Sequence, residues 1–177
     1  MSYTFDLELP RPDGTIRGAA LREVNAAVFA PVDAVKEATK LRVGTALAAR
    51  FPDFEVERFG YEHITRSPSR YFEINDLGDD SFGVQIQLFD DEAALTIPYW
   101  HEGAKAEACF AQVWEIIGVI CHETGYAIFD PQMDRTLNEG ENFDAALQTY
   151  AKLMRKVSRD PDLGGRKPPK PWWKKKR

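Results

Sequence analysis

Alternation marks the first strand. Tyr3, Phe5, Leu7 and Leu9 alternate with Thr4, Asp6 and Glu8, a period of two that turns one set of side chains to a core and the other to solvent. Pro10, Pro12 and Asp13-Gly14 end it. Residues 15 to 29 carry only a weak helical signal around Leu21 to Val24. From Pro31 the spacing changes: Val32, Val35, Ala38, Leu41, Ala46 and Ala49 recur at helical intervals, opposite Asp33, Lys36, Glu37, Lys40 and Arg42. That pattern predicts an amphipathic helix from about Pro31 to Arg50.

Phe51-Pro52-Asp53-Phe54 closes the helix, and the pattern from there to Arg70 is irregular. Three strand-like runs follow: Tyr71 to Asn75, then Val84, Ile86 and Leu88 alternating with Gln85 and Gln87, then Leu95, Ile97 and Tyr99 alternating with Ala94, Thr96 and Pro98. Polar turns at Leu77 to Ser81 and at Asp90-Asp91-Glu92 separate them, so an antiparallel meander is the simplest connection. Pro98 cannot donate to a ladder, so its strand stops there or lies at an edge.

The stretch from Ala104 to Gln132 organises the chain. Phe110, Val113, Ile117, Ile120 and Cys121 keep helical spacing, and Cys109, Ile116 and Val119 widen the stripe, so this helix is covered on more than one side. Thr124-Gly125 supplies the stop, since glycine takes the left-handed conformation at little cost. Tyr126 to Phe129 then reads as a strand too apolar for an edge. Near the end, Asn138 with Glu141 has the form of a capping box, and Phe143, Leu147, Tyr150, Leu153 or Met154, and Val157 stripe a last helix. The order is β-α-β-β-β-α-β-α: one α+β domain over residues 1–158, with helices packed on an antiparallel (mixed) sheet of about five strands. Residues 159–177, rich in Pro, Trp and Lys, form a basic tail.

Charge sharpens this picture. The whole chain carries −5, but the tail holds eight Lys or Arg against Asp160 and Asp162, which leaves the body at −11. An acidic body disfavours direct nucleic-acid binding and suits a basic partner. No apolar run reaches bilayer length and no basic-then-apolar leader opens the chain. Cys109 and Cys121, twelve residues apart on one helix and so roughly 18 Å apart, are too distant for a disulfide. A cytoplasmic setting follows.

The candidate chemistry is sparse. Each histidine adjoins a glutamate, in Glu62-His63, His101-Glu102 and His122-Glu123, but adjacent side chains diverge, and no HExxH or CxxC spacing is present. No serine sits in a GxSxG elbow. Neither a catalytic residue, a metal nor a cofactor is expected. The carboxylates Asp76, Asp79, Asp80, Asp90, Asp91 and Glu92 fall in two hairpin turns, where Asp is recruited for its own backbone hydrogen bonds and exposure. Asp130 before Pro131 leaves the central strand in the same manner, and a strand end can hold Asp130 and Gln132 rigidly at a surface. In the tail, Trp172-Trp173 beside Lys174 to Arg177 can lie on an apolar groove of the body, with a lipid or nucleic-acid role ranked below that.

The MSY start running into an alternating strand, the WEIIGVICHETGYAIFDPQ unit and the PWWKKKR end together resemble small bacterial immunity-type proteins. The resemblance implies a protein encoded beside a contact-dependent or polymorphic toxin, which it neutralises by binding. The expected partner is a cognate toxin with a basic surface, met by Asp76, Asp79, Asp80, Asp90, Asp91, Glu92, Asp130 and Gln132. The alternatives are a small hydrolase with a folded-together His and carboxylate, and an accessory protein working through the tail.

Overall fold

The computed structural model describes residues 2–10, 33–59, 71–78, 80–138 and 143–159. Its elements are β1 (Ser2–Glu8), α1 (Ala34–Arg50), β2 (Phe54–Phe59), β3 (Tyr71–Asp76), β4 (Gln85–Leu88), β5 (Glu92–Pro98), α2 (Gly103–Thr124), β6 (Ala127–Asp130), β7 (Arg135–Leu137) and α3 (Asp144–Arg159). The class is α+β. Among the described residues the sheet has seven strands in the order β2-β3-β4-β5-β1-β6-β7, each neighbouring pair antiparallel. It therefore exceeds the expected five, and the order gains β2 and β7.

Both additions have a local cause. Phe54 and Val56 alternate with Glu55, but over too few residues to stand out, and pairing with β3 from Phe54↔Asp76 onward makes the strand. β7 has no pattern of its own; it forms where the turn after β6 folds back and pairs Ile128 with Leu137. The meander β3-β4-β5 is as expected, and Pro98 ends a strand that is central. The sequence does not announce that β1 lies between β5 and β6.

Tyr3, Phe5 and Leu7 of β1, Leu95 and Ile97 of β5, Ile74 of β3 and Ile86 of β4 turn to one core, which α2 closes with Cys109, Phe110, Val113, Ile116, Ile117, Ile120 and Cys121. α1 buries Val43, Gly44 and Leu47 and is capped by Asp33, whose carboxylate accepts from the Val35 and Lys36 amides. Its expected first turn at Pro31 falls outside the described residues. Gly125 stops α2 at φ 71° with its amide on the Cys121 carbonyl, as the glycine suggested. α3 begins at Asp144, beyond Asn138; Glu141 of the expected box lies outside the described residues. Among the described residues no helix is long and apolar enough to cross a membrane.

Because successive strands are antiparallel, the connections sort to two ends. The end where β5 exits carries the β3–β4 turn, the β6–β7 turn, the last residues of α1 and the start of α2. The end where β5 enters carries the β4–β5 turn, the end of β1 and the end of α2.

Candidate functional site

Asp130 closes β6 and is the most deeply placed carboxylate described, with 0% exposure. Its Oδ2 accepts the Tyr3 hydroxyl at 2.5 Å, and its Oδ1 accepts the amides of Gln132 at 2.8 Å and Met133 at 3.1 Å. Burial raises its pKa above the usual carboxylate value, although these hydrogen bonds and Arg135 pull the other way. Burial, then Asp130 itself, likewise pushes the Tyr3 hydroxyl up, so that it stays a donor. Asp130 thus ties the first strand to the β6–β7 turn. That turn holds Asp134 at φ 51°, a left-handed conformation in which Asp and Asn are the best tolerated non-glycine residues.

Asp76 plays the same part in the β3–β4 turn. It is 4% exposed, and its Oδ2 accepts the Phe82 amide at 2.9 Å. Burial raises its pKa first, partly offset by the Phe82 and Gly78 amides and the Gln112 side chain. On the other side of Phe82, the His101 Nε2 lies 2.6 Å from the Phe82 carbonyl. A carbonyl only accepts, so Nε2 carries the proton. Burial depresses the His101 pKa and keeps the ring neutral. Its backbone amide donates to the Tyr150 hydroxyl, which donates in turn to the Pro98 carbonyl.

The expected partner-binding residues therefore divide. Asp76 and Asp130 are a correction: they face inward and satisfy backbone amides. Gln132 accepts the Thr4 amide through Oε1 at 3.1 Å. Asp80 is exposed at the exit end. Asp90 and Asp91 lie at the opposite end and are paired with α1, Lys40 to Asp90 and Lys36 to Asp91 at 2.8 Å each. Lys40 is only 4% exposed and lies 5.6 Å from the Phe72 ring centroid. Glu37 Oε2 is 3.1 Å from its ammonium, close enough for charge attraction but without a hydrogen bond. Half-buried Glu92 faces Glu8 across the β1–β5 ladder. The five described turn carboxylates, Asp76, Asp80, Asp90, Asp91 and Glu92, thus do not form one patch. Asp79, Trp172, Trp173 and His63 lie outside the described residues.

At the exit end, Arg50, Asp53, Asp76, Asp80 and Gln112 line a depression of about 190 Å³. A larger cleft of about 360 Å³ runs between the start of α2 and α3, lined by His101, Gly103, Met154 and Arg155 among others. His101 and Asp130 are each bonded to a different part of the scaffold, and exposed His122 ends α2 far from Asp130, so no His–carboxylate dyad forms among these groups. Among the described residues no group of three His, Cys, Asp or Glu is placed to hold a metal ion. Burial pushes the Cys109 thiol up to about 12, which leaves it protonated and inert.

Comparison with protein-family models, curated proteins and solved structures finds no match.

Reasoning from sequence missed Tyr3, Phe82, Trp100 and Tyr150. A tyrosine on the buried face of an alternating strand was a usable signal, since its hydroxyl must find a partner; Asp130 was the available acceptor. Phe82 participates through its backbone and leaves no such trace.

Proposed function

We propose that the protein is a binding protein of immunity type, which docks a basic toxin through the exit end of its sheet and performs no chemistry on it. The observation that carries this reading is the use of two buried carboxylates, Asp76 and Asp130, to fix two turns that lie at the same end of the sheet. Those turns and their neighbours display exposed Asp53, Asp80, Glu102 and Asp134. Carboxylates held on rigid backbone lose little freedom on binding, and they accelerate encounter with a positive surface. Arg50 at the same end is already neutralised by Glu115 at 2.7 Å. The reading departs from the expected interface in two ways: Asp76 and Asp130 support the surface from beneath, and Asp90, Asp91 and Glu92 belong to the opposite end.

Co-expression with the product of the neighbouring gene tests it. The wild-type chain should protect cells, and the double variant Asp80→Lys, Asp134→Asn, which keeps a residue suited to the left-handed backbone at 134, should lose at least tenfold in protection while melting normally. A protective double variant, or a wild type that gives no protection, overturns the reading.

A further inference from the structure

Trp100 is a large aromatic side chain left open at the exit end, with 41% exposure. It is nonetheless firmly seated. Its amide donates to the Pro98 carbonyl at 3.1 Å, and its ring meets the His101 imidazole edge-on at 6.0 Å between centroids. Beneath it lies Gly83, at φ +70°, where an added Cβ would stand 3.0 Å from the Trp100 Cζ2. The β3–β4 turn therefore uses glycine both for its backbone angle and to let the indole approach. Asp76 and His101, through the Phe82 amide and carbonyl, hold that turn in place.

An indole fixed on one side and wet on the other is a pre-formed contact surface. Its neighbours in the chain give it a sign. Exposed Asp80 stands three residues before Gly83, and exposed Glu102 two residues after Trp100. Lys105, on the first turn of α2, is directed to the Phe82 ring, 6.0 Å from its centroid. We infer that Trp100 is the anchor of the docking surface and receives an arginine side chain of a protein partner, stacked on the indole with its charge shared by Asp80 and Glu102. Arginine fits better than lysine because its guanidinium is planar, weakly hydrated and able to stack while its edge donates to carboxylates. The inference rests on the binding reading above and names the chemistry that this surface selects.

The test uses the ¹⁵N-labelled full chain and three blocked peptides, Gly-Arg-Gly, Gly-Lys-Gly and Gly-Leu-Gly, without any toxin. The Trp100 indole N–H resonance, assigned by its loss in Trp100→Phe, should move saturably with the arginine peptide, which should bind at least threefold more tightly than the lysine peptide. The leucine peptide should leave it unmoved. In Asp80→Asn, Glu102→Gln the arginine affinity should fall about threefold to tenfold, as expected for exposed charges. An indole that does not respond, responds equally to leucine, or keeps its affinity in that variant overturns the inference. Because no partner is present, this result is independent of the protection assay, and either can fail without the other.

Discussion

Asp130→Ala should destabilise the fold by about 3–5 kcal/mol in urea denaturation, while Asp130→Asn should cost less than about 2 kcal/mol. Alanine leaves the Tyr3 hydroxyl and the Gln132 amide without their acceptor, while the Met133 amide keeps only the backbone carbonyl of residue 130 at 3.2 Å. Asparagine keeps an oxygen for the two amides and turns an NH₂ toward the tyrosine oxygen, which can accept. The same pair fixes a pH dependence. Burial raises the Asp130 pKa above its ordinary 3.8, so the protonated form is favoured in the folded state. Its contribution is complete below the ordinary value and is lost as pH rises through the raised one. Wild type should therefore lose stability relative to Asp130→Asn as pH rises across that window, then run parallel to it. A cost for alanine under about 1 kcal/mol would mean that Asp130 does not hold the turn.

Phe110→Ala should cost about 3–5 kcal/mol, the range for truncating a buried phenylalanine. Phe110 has no exposure and lies at the centre of an aromatic cluster, with ring centroids 5.2 Å from Tyr150, 5.8 Å from Tyr3, 6.3 Å from Phe5 and 6.5 Å from Phe143. Three elements meet there: β1, α2 and the start of α3. Their edge-to-face and tilted packing leaves little room for collapse around a cavity. Phe110→Leu should recover more than half of the loss, because volume is the main quantity removed. Equal costs for the two variants would show that the aromatic geometry, not the filled space, is what the core needs.

The covering of α2 and the presence of β6 as a non-edge strand were legible because a wide apolar stripe and a short apolar run state their own burial. Gly125 stops the helix where its backbone freedom suggested, and the alternation of Tyr3, Phe5 and Leu7 set the buried face of β1. What the chain did not reveal depends on distance along it. Asp130 meets Tyr3 across 127 residues, so an aspartate that reads locally as an exposed turn former becomes a buried support. The same holds for Asp76, whose companion His101 arrives from beyond β5. The acidic turns looked like one cluster because they are close in sequence. Antiparallel strands send consecutive turns to opposite ends, and lysines of α1 neutralise one set.

The comparison between those two ends is the most direct measurement. Association of the purified protein with the product of the neighbouring gene should slow at least fivefold in Asp80→Asn, Asp134→Asn, with the salt dependence of the rate reduced, because these charges steer the encounter. Asparagine at 134 preserves the left-handed backbone. Asp90→Asn, Asp91→Asn, at the far end, should change the rate less than twofold. A larger slowing from the Asp90 and Asp91 pair, or none from Asp80 and Asp134, would contradict docking at the exit end.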